Sequence, residues 1–232
     1  LYFDRQIMRV AEIYRSRQGE GALTGTESVF VRASGCNLRC WFCDTPYASF
    51  QPEGEDLSVL EIVDQVERFQ LRHVVLTGGE PMLFAELLPL CDALAEKNLH
   101  ITIETAGTIF LPVVCDLMSI SPKMSNSTPT SDRWRERHEQ TRSAPDVFKR
   151  LTADYQYQVK FVIDQPSDCD EVQAFLSDFA SVPREAIWLM PQARELTEQQ
   201  SAEVWLAPYC DQHGYHYCPR RQIEWFGLVR GT

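Results

Sequence analysis

Residues 73–104 read HVVLTGGEPMLFAELLPLCDALAEKNLHITIE, and the fold is decided here. Residues 73–76 are an apolar run of strand length that breaks at Thr77-Gly78-Gly79-Glu80-Pro81. Residues 83–97 follow with helical spacing, and 99–104 form a second strand-like run. The same alternation extends in both directions. Strand-like runs recur at 28–32, 117–120, 158–163 and 186–190. Helical spacing recurs at Leu60, Val63 and Val66 after the cap-like Ser58, and at 168–180 and 197–212. About six strands alternating with helices call for a parallel sheet with crossover helices, either doubly wound and open or an incomplete barrel. Both architectures gather chemistry at the carboxyl ends of the strands. Those ends read Gly35-Cys36, Thr77 to Pro81, Glu104-Thr105, Ser121-Pro122-Lys123 and Pro191-Gln192. Any one of these breaks alone is ordinary loop punctuation; five on one rim mark a site.

The chain has 232 residues, 44% hydrophobic and 24% charged, enough to bury a core as one domain over residues 1–232. A polar, proline-containing excursion occupies about 125–150, with helical character around 134–141, and no internal repeat is present. A net charge of -11 argues against a nucleic-acid partner held by a broad basic surface. Arg133, Arg135, Arg137 and Arg142 are local and interleaved with Glu136 and Glu139, which reads as a solvated face without a partner. No apolar run approaches membrane-spanning length, and residues 1–9 lack the apolar stretch of a signal peptide, so the cytoplasm is expected and no membrane.

Eight cysteines without a secretion signal point to metal or catalysis rather than disulfides. Cys36, Cys40 and Cys43 stand within eight residues just after a strand, whereas Cys91 and Cys115 sit among apolar neighbours as small hydrophobes. A structural zinc site wants four ligands, and no second pair stands at the usual spacing. Cys210 and Cys218, with His213 and His216 nearby, leave a distant fourth ligand open. Three thiolates on a [4Fe-4S] cluster leave one iron open for a substrate or cofactor, where electron-transfer clusters take four. S-adenosylmethionine (SAM), with a chelating amine and carboxylate beside a cleavable sulfonium, suits that iron by its own chemistry, not by the spacing.

Cys-x3-Cys-x2-Cys followed by Thr77-Gly78-Gly79-Glu80-Pro81 resembles the radical SAM superfamily. There the second element meets the methionine amine, and the loop carbonyls and Glu80 offer acceptors for that ammonium. Further motifs resemble the 7-carboxy-7-deazaguanine synthase family. They are Arg17-Gln18-Gly19-Glu20-Gly21, the run from Gly35 through Asp44 and Thr45, Glu104-Thr105-Ala106-Gly107, Ser121-Pro122-Lys123, Lys160-Phe161-Val162-Ile163 and Met190-Pro191-Gln192. The resemblance implies an α/β fold, an incomplete, partial TIM-like radical SAM barrel of about six parallel strands with outer helices. It implies conversion of 6-carboxy-5,6,7,8-tetrahydropterin to 7-carboxy-7-deazaguanine in queuosine biosynthesis, with loss of ammonia and SAM recycled. It also implies Mg²⁺, a homodimer, and an electron donor such as flavodoxin or ferredoxin.

Carried over by residue, the resemblance puts the cluster on Cys36, Cys40 and Cys43 and Mg²⁺ on Thr45. Cofactor contacts fall at Phe42, Cys43, Asp44, Gly79, Ser121, Pro122, Lys123 and Gln192. Substrate contacts fall at Arg17, Gln18, Gly19, Arg32 and Thr77, with Arg32 suited to a bidentate carboxylate clamp. Thr45 reads equally well as a helix cap beside Asp44 and Pro46. Residues 220–227 carry no assignment. A glycyl-radical-enzyme activase shares the cysteine loop and the Gly-Gly-Glu-Pro element, but Gln18-Gly19-Glu20-Gly21 and Arg32 suit a small anionic substrate better. A zinc or iron-sulfur binding module without enzymatic activity is the alternative from another class.

Overall fold

The computed structural model describes residues 6–232. Residues 1–5, part of the segment read for a leader, lie outside the described residues. The strands are β1 (Ile7–Arg17), β2 (Glu27–Ala33), β3 (Glu55–Ser58), β4 (His73–Gly78), β5 (His100–Thr105), β6 (Leu117–Ile120), β7 (Tyr157–Ile163), β8 (Ile187–Pro191) and β9 (His216–Tyr217). The helices are α1 (Pro46–Ser49), α2 (Val59–Arg68), α3 (Leu87–Glu96), α4 (Asp132–Arg142), α5 (Pro145–Asp154), α6 (Pro166–Ser177), α7 (Leu196–His213) and α8 (Arg221–Phe226).

The strands form one sheet in the order β3-β1-β2-β4-β5-β6-β7-β8-β9, open at both edges. From β2 to β9 every neighbour pair is parallel, and the six strands read from the sequence are β2, β4, β5, β6, β7 and β8. The expectation of about six parallel strands is extended by the two-residue β9 and by two antiparallel strands, β1 and β3. β1 escaped because its apolar positions alternate with Arg9, Glu12, Arg15 and Arg17, a pattern that looks solvated until β2 and β3 pair with it.

Helices α3, α6 and α7 pack on β5, β7, β8 and β9, and the core runs continuously from Met8 and Val10 to Leu206 and Cys210. Helix α2 starts where expected. Ser58 Oγ accepts from Glu61 N at 3.3 Å while the Glu61 carboxylate accepts from Ser58 N at 2.8 Å, and Ile62, Val63 and Val66 enter the core. The helix read over 83–97 begins later. Pro81 starts a 3-10 turn through Leu83, and α3 runs Leu87–Glu96. The excursion at 125–150 is more ordered than its composition suggests, holding α4 and most of α5. Phe148 and Leu151 of α5 reach the core. His138 fastens α4: its Nδ1 accepts from Arg39 N at 3.1 Å and its Nε2 lies 2.9 Å from Ser127 Oγ. Ser127 Oγ spends its proton on Met124 O, so Nε2 carries the ring proton and donates. Among the described residues no helix is long and apolar enough to cross a membrane.

Candidate active site

Period-two alternation places the site. In β2, Val29, Val31 and Ala33 face the core, and the intervening Phe30 and Arg32 face the other side of the sheet. In β7, Val159 and Phe161 face the core while Lys160 and Val162 do not. With Thr77 and Glu104, those outward residues floor a cleft of about 370 Å³ at the carboxyl ends of the strands. That size suits a small organic ligand.

Three thiols stand on its wall. The loop from Gly35 to Thr45 has little regular structure; Cys43 N donates to Cys40 O at 3.2 Å, and Cys36 Sγ accepts from Leu38 N at 3.4 Å. Burial pushes the Cys36 thiol up to about 12 and the Cys40 thiol up to about 11, so both are protonated at neutral pH until a metal displaces the proton. All eight cysteines are free thiols. Cys210 and Cys218 are buried; Cys218 Sγ accepts from Gly21 N, and His213 stacks on Tyr209. Among the described residues no three His, Cys, Asp or Glu side chains converge on a point for a single metal ion. Cys210 and Cys218 do not line the cleft that holds Cys36, Cys40 and Cys43. Three thiols spread along a loop suit the corners of a wider cluster.

The glycine element closes on this loop. Gly78 has φ +152°, and Glu80 N donates to Gly35 O at 2.8 Å. A Cβ on Gly79 would collide with the Gly35 and Ala48 carbonyl oxygens. Gly79→Ala is expected to cost roughly 1–3 kcal/mol of stability through this overpacking, seen as a lower thermal midpoint. An unchanged midpoint would show that the loop has room. Glu80 is not an acceptor for a ligand's ammonium. It is fully buried and its carboxylate accepts from Met82 N, Thr105 Oγ1 and Ala106 N at 2.8–3.0 Å, so the chain's own donors use it.

The cleft also holds a charge network that sequence reading did not find. Lys160, with a side chain 4% exposed, donates at 2.9 Å to both Glu20 Oε2 and Glu104 Oε1. Glu104 also accepts from Thr77 Oγ1 at 2.9 Å. Arg220 donates to Glu20, to Asp44 and, at 2.7 Å, to Ala193 O, tying the cysteine loop to the far wall. Burial opposes ionisation of Glu20, but Lys160 and Arg220 outweigh it and hold its carboxyl at about 2. A lone lysine inside the otherwise apolar run 159–163 was the available signal.

Arg32 is paired across strands with Glu12, Nε to Oε1 at 2.8 Å, and its Nη2 donates to Tyr14 Oη at 2.7 Å. Glu12 also accepts from Tyr47 and from Arg230 of the last residues, and Gly227 to Thr232 line the cleft. The remaining expected residues, Arg17, Gln18, Gly19, Phe42, Asp44, Thr45, Ser121, Lys123 and Gln192, line it too. Arg17 sets its guanidinium 4.4 Å from the Trp225 ring centroid, and Gly19 O accepts from Arg221 N. Lys123 curls back to Ser121, its Nζ donating at 2.6 Å to Oγ and 2.7 Å to O. Thr45 occupies the N-cap position of α1 but makes no capping bond; its hydroxyl lies 3.8 Å from Cys43 Sγ. Pro122 departs from the set. It is buried and lines a neighbouring hollow of about 290 Å³, which Lys123 also borders.

Comparison with known proteins places this chain in a family. Residues 30–153 match the model of the radical SAM superfamily. The chain is similar to a 7-carboxy-7-deazaguanine synthase of Rhodopirellula baltica, 44% identical over 227 residues covering 96% of this chain and 88% of that one. It is also similar to one of Halobacterium salinarum, 39% identical over 233 residues covering 95% and 91%. The crystal structure of QueE from Escherichia coli shares the fold, with a TM-score of 0.71 at 22% identity over 94% of this chain and 96% of that one. The likeness runs through the cysteine loop, the glycine element and the flanking strands alike, so the chain belongs to the radical SAM superfamily and, within it, to the 7-carboxy-7-deazaguanine synthase family.

Proposed function

We propose that this chain is a radical SAM lyase that contracts 6-carboxy-5,6,7,8-tetrahydropterin to 7-carboxy-7-deazaguanine with loss of ammonia, on the route to queuosine. One observation carries the reading. Residues from segments as distant as 17–20, 36–45, 77–79, 104, 160 and 190–192 line a single cleft with three thiols in its wall. The donor set fits a [4Fe-4S] cluster held by Cys36, Cys40 and Cys43. With SAM bound, that group supplies a 5'-deoxyadenosyl radical able to take hydrogen from carbon. Gly79, Ser121, Lys123, Gln192, Phe42 and Asp44 surround the place SAM would occupy, and Pro122 shapes the turn behind them. Thr45, whose hydroxyl caps nothing, would hold Mg²⁺ together with water and a substrate carboxylate.

Arg32 supplies positive charge for that carboxylate, and Glu20 and Glu104, each bonded to Lys160 at 2.9 Å, accept from the N–H-rich edge of the pterin. Gln18, Gly19, Thr77 and Arg17 complete the substrate wall. The reading takes residues 1–232 as one catalytic domain working in the cytoplasm as a homodimer, supplied with electrons by flavodoxin or ferredoxin; one sheet and one core support the first part.

The test is an anaerobic assay of cluster-loaded protein with SAM, a reductant, Mg²⁺ and the carboxytetrahydropterin, following 5'-deoxyadenosine and 7-carboxy-7-deazaguanine by mass spectrometry. Deoxyadenosine without the deazaguanine would favour the activase reading, and neither product would remove the enzyme reading. In the same assay Arg32→Ala is expected to raise the substrate KM about tenfold or more while iron content stays unchanged. An unaltered KM would remove Arg32 from the substrate contacts.

A further inference from the structure

An arginine that is to clamp a ligand's carboxylate must carry charge that the chain has not already neutralised, and Arg32 does not meet that condition by itself. It stands across from Glu12 in the β1–β2 register and donates from Nε to Glu12 Oε1 at 2.8 Å, the two side chains being only 14% and 13% exposed. A largely buried pair of this kind is neutral as a unit, so an incoming carboxylate would meet the Glu12 anion together with the Arg32 cation. The second oxygen of Glu12 is taken by Arg230, whose Nε donates to Oε2 at 3.1 Å across 218 residues. Arg230 is kept there by Ala11 O, which accepts from Nη2 at 3.3 Å, by Glu53, which accepts from Nη1 at 2.9 Å, and by the Tyr47 ring, whose centroid lies 4.0 Å from the guanidinium carbon. Tyr47 donates its own hydroxyl proton to Glu12 at 2.8 Å. Arg32 and Arg230 both line the cleft and Glu12 does not, so two guanidiniums share one carboxylate set behind them. Glu53 offsets Arg230 only weakly, because its side chain is 59% exposed and water screens it.

We propose that Arg230 is a positioning residue that offsets Glu12 and so leaves the charge of Arg32 available to an anionic ligand, which makes it a determinant of specificity for a pterin that bears a carboxylate. The inference rests on the substrate reading given above and adds to it a residue that acts through Glu12. The other charges of the cleft have partners of their own. Glu20 is paired with Lys160 and Arg220, Glu104 with Lys160, and Asp44 with Arg220. Arg17 lies on Trp225, and Lys123 donates to Ser121. Among the described residues the side-chain partners of Glu12 are Arg32, Tyr47 and Arg230, so removal of Arg230 leaves Arg32 and Glu12 to cancel one another.

The experiment uses the full chain, cluster-loaded, with SAM and without the electron donor, so that no turnover occurs. Anaerobic calorimetry then gives the dissociation constants of tetrahydropterin with and without the 6-carboxylate. Arg230→Gln is expected to weaken binding of the carboxylated pterin about tenfold and to leave the other unchanged, where a merely structural loss would weaken both. Arg230→Lys, which keeps the charge, should bind the carboxylated pterin within about threefold of the parent. Introduced into Glu12→Gln protein, Arg230→Gln should change that affinity less than about twofold, since no carboxylate then remains to be offset. A loss that persists there at full size would give Arg230 a direct contact with the ligand and overturn the route through Glu12. Unchanged affinity in Arg230→Gln, or equal weakening of both pterins, would overturn it as well. Each of those results leaves the substrate reading standing, because the parent still prefers the carboxylated pterin. A parent that binds the two pterins alike strikes the substrate reading, and the role of Arg230 falls with it.

Discussion

Replacing Cys40 by alanine is expected to abolish both cluster content and turnover, leaving the fold in place. Cys40 is only 9% exposed and its neighbours in the loop are held by backbone bonds such as Trp41 N to Ser127 O, none of which needs the thiol. Removing one sulfur from the apoprotein therefore costs little stability. With only two thiols remaining, the loop can no longer hold three irons of a four-iron cluster. Reconstituted Cys40→Ala protein should bind far less than the about four irons and four sulfides per chain of the parent and release no 5'-deoxyadenosine, with an unchanged thermal midpoint for the apoprotein. Retained visible absorbance of a cluster together with deoxyadenosine release would remove Cys40 from the ligand set. Parallel loss in a Cys91→Ala control would point to misfolding, because Cys91 belongs to the core and not to the cleft.

The second large effect is expected at Lys160. Replacement by methionine leaves Glu20 and Glu104 facing each other without the cation that both contact at 2.9 Å. Breaking a buried pair in this way typically costs about 3–5 kcal/mol, whereas neutralising both sides costs much less. For a chain of this size that is roughly a 10 °C drop in thermal midpoint. Glu20 keeps Arg220 and Gln222 as partners, so the strain falls chiefly on Glu104, which keeps Thr77. Lys160→Met/Glu104→Gln should accordingly recover a large part of the loss, a non-additivity expected of groups in direct contact.

The pH dependence has a definite sign. The Glu20 carboxyl is depressed from 4.5 to about 2, so its contribution is present above 4.5 and is lost as pH falls through 2. The neighbouring carboxylates raise Lys160 above its usual 10.5 against the effect of burial, so its contribution is present below 10.5 and is lost only at still higher pH. Between 4.5 and 10.5 Glu20 and Lys160 are both charged. The Lys160→Met penalty should be largest near neutrality and shrink as acid neutralises the unpaired carboxylates; a penalty independent of pH would mean that lost packing, not charge, sets the cost.

What the sequence determined by itself is local. Six parallel strands were legible because each is a short apolar run closed by a polar or glycine-containing break, and the cysteine loop and Thr77 to Pro81 were legible because their chemistry lies in consecutive residues. Fifteen of the sixteen residues expected at the site line one cleft, since strand ends on one rim of a parallel sheet must meet. Pro122 fell outside because the direction of one side chain in a turn is not set by its neighbours' identities.

Tertiary structure alone decided the rest. Lys160 meets Glu20 across 140 residues and Glu104 across 56, and Arg220 reaches Asp44 across 176. Each of these residues, read in its own segment, is an ordinary charge. Glu80 looks available in its motif, but burial directs it to three donors of the chain itself. Arg133, Arg135 and Arg137 are exposed as the sequence suggests, but only the fold shows that His138 fastens their helix to Arg39. A charge's role depends on what surrounds it and how far water is excluded, and both arise only when distant segments pack together.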